Sequence, residues 1–369
     1  MKIKCKKYNL LKGLNIVSKA VPAKTTMSIL QCILVDCSKG SIRLIANDTE
    51  LGIETIVEGE IIEKGDVAIE AKIFIDIIRK LPDNDVVIQT DDTYITSITC
   101  EKSRFNILGK SGDEFSYLPD VERKENISIS QLSLKDVIRQ TIFSVSDNDN
   151  NRVMTGELFE IKDNNLRVIS LDGHRISIRK IGLKTSANDK KVIIPGKTLN
   201  EISKILPGES DEMVNIYFAE KNIVFEFDDT IVVSRLIEGE YFNVDQMLSS
   251  DYSTKVTINK KEFIDCIERA TLLVKEGDKK PIIVNINEDQ MEIKINSTIG
   301  SLNESIDIER DGKDIVIGFN PKFLIDALRV IDDESIDIYL QSPKSPCLIK
   351  DEEISYIYLV LPVNINTVD

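Results

Sequence analysis

EAKIFIDIIRKLPDNDVVIQ, residues 70 to 89, reads as a helix that runs directly into an alternating strand. Its apolar positions Phe74, Ile77 and Leu81 fall on one helical face, and Lys72, Asp76 and Arg79 fall on the opposite one. The same pattern occurs twice more, as IPGKTLNEISKILPGESDEMVNIYF from Ile194 and GFNPKFLIDALRVIDDESIDIYL from Gly318. Lys72, Lys197 and Lys322 recur at intervals of 125 residues, as do Asp76, Glu201 and Asp326, and then Arg79, Lys204 and Arg329. One such stripe is an ordinary solvated face; three at a fixed interval mark an internal repeat.

Working outward, each copy opens with another amphipathic segment, at 9 to 21, 133 to 145 and 261 to 274. Leu11, Leu134 and Phe263 align, followed by Leu14, Val137 and Cys266, and these form the expected buried stripe. Lys12, Lys19, Lys135, Arg139, Lys261 and Arg269 project elsewhere. Between the two helices lies a strand pair. Residues 34 to 54 match 158 to 179, with Arg43 on Arg167 and Asp48 on Asp172, and residues 284 to 304 match more loosely. The fold class is therefore α+β, three tandem copies of a two-helix unit with antiparallel sheet, in which strand exceeds helix. The polar stretches 115 to 126 and 241 to 253 read as linkers, which gives domains at 1–123, 124–249 and 250–369.

The chain has 369 residues and a formal charge of −15, which taken alone disfavours a nucleic-acid partner. No apolar run approaches a membrane span, and the start MKIKCKKYNLLKGL lacks the pattern of a signal peptide, so a cytoplasmic location is expected. The six cysteines are scattered without a C-x-x-C pair and read as reduced thiols; no metal site and no cofactor is expected. The only histidine, His174, stands in SLDGHRIS beside Asp172. An acid–base site there would need partners, and neither a nucleophile elbow nor a second histidine is present.

These features together resemble the bacterial DNA polymerase III β subunit, the replicative sliding clamp. The resemblance spans the whole chain and rests on the order of SRFNILG (103 to 109), SLDGHRIS, IPGKTLNEI and YLVLPVNIN. It implies a non-catalytic, head-to-tail homodimer, a ring that encircles duplex DNA without sequence specificity and tethers a replicative polymerase for processive synthesis. Basic helix stripes would then face the duplex while acid faces solvent, which reconciles the net charge with DNA. By position the channel residues are Lys12, Lys24, Lys72, Arg79, Lys135, Lys197, Lys204, Lys322 and Arg329. The resemblance further implies a dimer interface with Phe105 and Ile107 on one side and Leu272 and Leu273 on the other. It implies a cleft for short linear peptides of the polymerase, the clamp loader and repair factors, formed by Met154, Leu171, Gly173, His174, Arg175, Ile176, Phe242, Met247, Pro346, Leu359, Leu361, Pro362 and Val363. Where the family commonly ends M-P-M-R, this chain has Leu361-Pro362-Val363-Asn364 and five further residues; it also has Phe242 in place of a usual proline, and Asp245 and Gln246 where bases are common. The competing readings are a tandem-repeat adaptor that touches no DNA and an enzyme using Asp172 and His174.

Overall fold

A computed structural model describes residues 1–148, 150–184, 187–207, 212–248, 251–274 and 280–365. The domain boundary expected between 249 and 250, and the tail from 366, lie outside these residues. Among the described residues, six α-helices stand where the repeat requires them: α1 (Lys7–Val17), α2 (Ala71–Lys80), α3 (Gln131–Thr141), α4 (Gly196–Ile205), α5 (Lys260–Thr271) and α6 (Pro321–Val330). Pro82 and Pro207 follow α2 and α4 closely and bar their continuation. Asn259 and Asn320 cap α5 and α6 by accepting from the backbone N–H of Glu262 and Lys322, and Pro321 occupies the first turn of α6. Lys7 Nζ donates to the Leu81 carbonyl and Lys260 Nζ to that of Ile331, so the lysine that opens one helix closes the other in the first and third copies.

In α2, α4 and α6 the apolar faces are buried as their spacing requires: Phe74, Leu199 and Leu324 are almost inaccessible to solvent. One register needs correction. In α1 the buried stripe is Leu10, Leu14 and Val17, while Leu11 is only half-buried, so Leu10 is the partner of Leu134 and Phe263, and Leu14 that of Ile138 and Ile267 in place of Val137 and Cys266. Both leucines fit the apolar period, and Lys6 provides no side-chain cap that would mark where the helix starts.

The chain forms two compact units. The first, Met1–Leu134 with Glu201–Leu236, holds a five-stranded and an eight-stranded sheet; the second, Lys135–Asn200 with Ile237–Asp369, holds a nine-stranded and a four-stranded sheet. The middle repeat is thus shared, because each large sheet closes across a repeat boundary. In the first unit Leu51–Val57 pairs antiparallel with Thr230–Arg235, setting Leu51 opposite Ser234 and Thr55 opposite Thr230. In the second, Arg175–Gly182 pairs with Tyr356–Val360, setting Arg175 opposite Val360 and Arg179 opposite Tyr356. The two registers correspond position for position along the repeat.

The hairpin turns repeat as well. Asp48 Oδ1 accepts from the backbone N–H of Glu50 and Leu51, Asp172 Oδ1 from His174 and Arg175, and Ser297 Oγ from Ile299 and Gly300. The residue after the acceptor is left-handed in the first two turns, Thr49 at φ 79° and Gly173 at φ 88°; glycine adopts that conformation without a Cβ penalty. Among the described residues no helix is long and apolar enough to cross a membrane. All six cysteines are free and buried, and burial pushes the Cys347 thiol up to about 12.

Candidate functional site

The basic stripes lie on exposed faces. Lys12, Lys72, Arg79, Lys197, Lys204, Lys322 and Arg329 are exposed on their helices, Lys24 is exposed in the segment after α1, and Lys135 is half-buried. The central acids do not all act alike. Arg79 pairs with Asp76 at 3.0 Å and Lys204 with Glu201 at 2.7 Å, each one turn apart on its own helix. Arg329 instead reaches across to Glu268 of α5 at 2.7 Å, because Asp326 is already held by Arg175 at 2.7 Å. Pairs with an exposed cation of this kind are worth a fraction of a kcal/mol, so they hold each guanidinium or ammonium only weakly.

The second candidate site is an apolar cleft of about 250 Å³. Met154, Leu171, Gly173, His174, Arg175, Ile176, Phe242, Met247, Leu359 and Leu361 line it. Strand pairing explains why they converge: Ile176 lies opposite Leu359, and the Leu361 N–H donates to the His174 carbonyl at 2.9 Å. Three of the expected positions are elsewhere. Pro346 lines a smaller neighbouring pocket that shares Met247. Val363 is drawn away by the bridge it makes with Gly318, its N–H donating to the Gly318 carbonyl at 2.8 Å, and Pro362 is carried with it outside the lining.

His174 is exposed at the rim, its ring stacked on Phe323 with centroids 5.8 Å apart. Asp172 is no proton partner for it: one carboxylate oxygen takes the two turn N–H groups and the other takes Arg175 Nε at 2.9 Å. Arg175 is the buried member, held by Asp172, Asp326 and the Phe143 carbonyl, with its guanidinium over the Phe323 and Phe143 rings. The places of Phe323 and Asp326 beside this cleft escaped the sequence reading. The available signal was a departure from the repeat, an aromatic at 323 where the other copies have Ile73 and Thr198. Asp245, which stands where a base is common, pairs with Arg167 at 2.7 Å, and that guanidinium holds its carboxyl below the usual range.

The third set lies on open strand edges. Ser103–Leu108 ends the five-stranded sheet and Ser301–Asp307 ends the four-stranded one. Phe105 is 39% exposed, Leu108 77% and Leu272, just past α5, 77%. Ile107 is half-buried, and Leu273 packs partly into the core beneath. Leu108 was not anticipated, although its neighbours were. An edge carrying exposed apolar side chains is a template for pairing with another chain.

Family models for the DNA polymerase III beta subunit match the chain throughout: the N-terminal domain at residues 1–119, the central domain at 128–243 and the C-terminal domain at 245–364. A beta sliding clamp of Staphylococcus epidermidis is 34% identical over 374 residues, covering 98% of this chain and 99% of the relative. Among solved structures, a putative DNA polymerase III beta subunit from Eubacterium rectale is 67% identical with a TM-score of 0.97 over 100% of both chains. The DNA polymerase sliding clamp of Bacillus subtilis is 32% identical with a TM-score of 0.95 over 99% of both.

Proposed function

We propose, on the premise that this chain belongs to the DNA polymerase III beta subunit family, that two copies close head to tail into a ring through Ser103–Leu108 of one and Ser301–Asp307 of the other. The chain is a DNA sliding clamp, a processivity factor and no catalyst.

The observation that carries the ring is the repeated register. Leu51–Val57 pairs with Thr230–Arg235 and Arg175–Gly182 with Tyr356–Val360, and the next strand in that series is Ser301–Asp307. Its counterpart, the position held by Thr230–Arg235 and Tyr356–Val360, is Ser103–Leu108 in the first repeat. Among the described residues both are unpaired edges. An interface that joins unlike surfaces must either close or polymerise, and continuing the register defines the closure: Val232 faces Ile53, Tyr358 faces Ser177, so Phe105 faces Leu302 of the other copy. Leu272 and Leu273 flank the joint.

Within the ring the basic helix faces meet the duplex backbone, and phosphate contacts without base readout leave the clamp free to slide. The cleft at His174 takes short peptides of the replicative polymerase and its accessory factors, with Leu171, Ile176, Leu359 and Leu361 as an apolar floor and the rim for orientation. Phe105→Cys and Leu302→Cys in one chain test the closure. Every native thiol is buried, so a bifunctional maleimide should join only the new pair. Cross-linking should yield a covalent dimer. A dimer by sedimentation with no cross-link refutes this register, and a monomer at all concentrations refutes the ring.

A further inference from the structure

The hairpin turn at Asp48 is the first-repeat copy of the turn at Asp172, and it too borders a cavity. About 230 Å³ opens within the first unit between that turn, the end of Thr230–Arg235 and the linker residues Ser116 to Pro119. The matching registers give the correspondence: Glu50 holds the position of His174, Gly52 that of Ile176, Val233 that of Leu359 and Arg235 that of Leu361. Three differences alter its chemistry. Gly52 leaves the floor without a side chain, and Leu118 of the linker fills the space, its Cδ2 occupying the place where a Cβ on Gly52 would stand. The linker is pinned there by Asn47 Nδ2, which donates to the Ser116 carbonyl at 2.7 Å. The floor is thus rebuilt from Leu118, Leu51 and Val233. At the rim, an apolar leucine has become an exposed cation, Arg235, whose backbone N–H donates to the Glu50 carbonyl at 2.9 Å, and the histidine has become that glutamate, so the rim carries one base and one acid.

We infer that this cavity is a second peptide site, selective for an acidic residue beside an aliphatic one. The aliphatic side chain lies over Leu118 and Val233, and the carboxylate pairs with the Arg235 guanidinium, a fork that matches two carboxylate oxygens. The first cleft presents Leu361 at that position and lacks this selectivity. The inference rests on the peptide reading of the His174 cleft, yet the two fail separately because each has its own lining.

The chain contains no tryptophan, so Tyr117→Trp, at a position 49% exposed on the cavity rim, places a single fluorophore at this site alone. The probe is the pentapeptide acetyl-Ala-Leu-Asp-Leu-Ala-amide, with its Asn and Lys analogues as comparisons. The Asp peptide should give a saturable change and bind roughly tenfold more tightly than the Asn peptide. Arg235→Glu should reverse the order in favour of the Lys peptide. Soaking the Asp peptide into crystals of the unsubstituted protein gives the same answer without a variant, with density over Leu118 and Val233. No saturable change, equal affinities for Asp and Asn peptides, or density confined to the His174 cleft overturns the inference; that last result leaves the first cleft standing.

Discussion

Glu157, in the strand Gly156–Lys162, is fully buried, and the one hydroxyl beside its carboxyl, that of Thr141, donates to the Val137 carbonyl at 2.8 Å and offsets little of the burial. Burial raises its pKa from 4.5 to about 8, so the folded protein holds this side chain neutral at pH values where the unfolded chain has already released the proton. The folded state therefore binds more protons than the unfolded one between the two pKa values. Its contribution to stability is complete below the unfolded pKa and is lost as pH rises toward the folded one, with a slope of at most about 1.4 kcal/mol per pH unit. Glu157→Gln removes the titration while keeping the shape. Melting temperatures taken from acid to mildly alkaline pH should show the parent falling relative to the variant as pH rises. Parallel curves would mean that the carboxyl finds a partner or water in solution. At this scale the sequence was partly legible. SLDGHRIS marked His174, Gly173 and Arg175 as neighbours of a cleft, but the stacking of His174 on Phe323 and the grip of Asp326 on Arg175 join residues about 150 apart along the chain. No local pattern encodes such pairings.

Helices and strands were more readable than side-chain pairings, since an amphipathic period survives substitution of any one residue. The 125-residue interval located α2, α4 and α6 and the exposure of Arg79, Lys204 and Arg329. The one-residue error in α1 came from Leu10 and Leu11, which serve the period equally well. The misplacement of Val363 has another cause: its position follows from pairing with Gly318, and the tail sequence departs from the family's there. The exposed stripes make their own prediction. Arg79→Glu, Lys204→Glu and Arg329→Glu together should leave the fold intact, each costing within about 0.5 kcal/mol, since all three sit opposite buried faces. The charge change should lower retention on DNA, and the slope of log affinity against log salt should flatten by about 0.9 for each phosphate that is no longer neutralised. An unchanged salt slope with normal melting would remove these residues from the DNA surface. A collapse of melting temperature would show that the ion pairs to Asp76, Glu201 and Glu268 are structural.

For the whole molecule, a charge of −15 fits a grip on DNA that is held by topology more than by affinity. Each stripe alternates base and acid, so a helix facing the duplex would neutralise few phosphates, and exposed charges beyond about 8 Å are screened at physiological salt. A protein that bound by affinity alone would need a denser basic surface. A closed ring needs only weak, sequence-blind contacts, and weak contacts let it move. Clamp loaded onto a circular duplex should therefore remain associated at moderate salt when followed by gel filtration, and should leave within the dead time once a single restriction cut linearises the circle. Blocking the cut ends with a bulky protein should restore retention, because escape requires an end. If loss proceeds at one rate from intact, cut and end-blocked DNA, the chain binds by surface charge alone, and the proposed pairing of Phe105 with Leu302 of a second copy does not close a ring around the duplex.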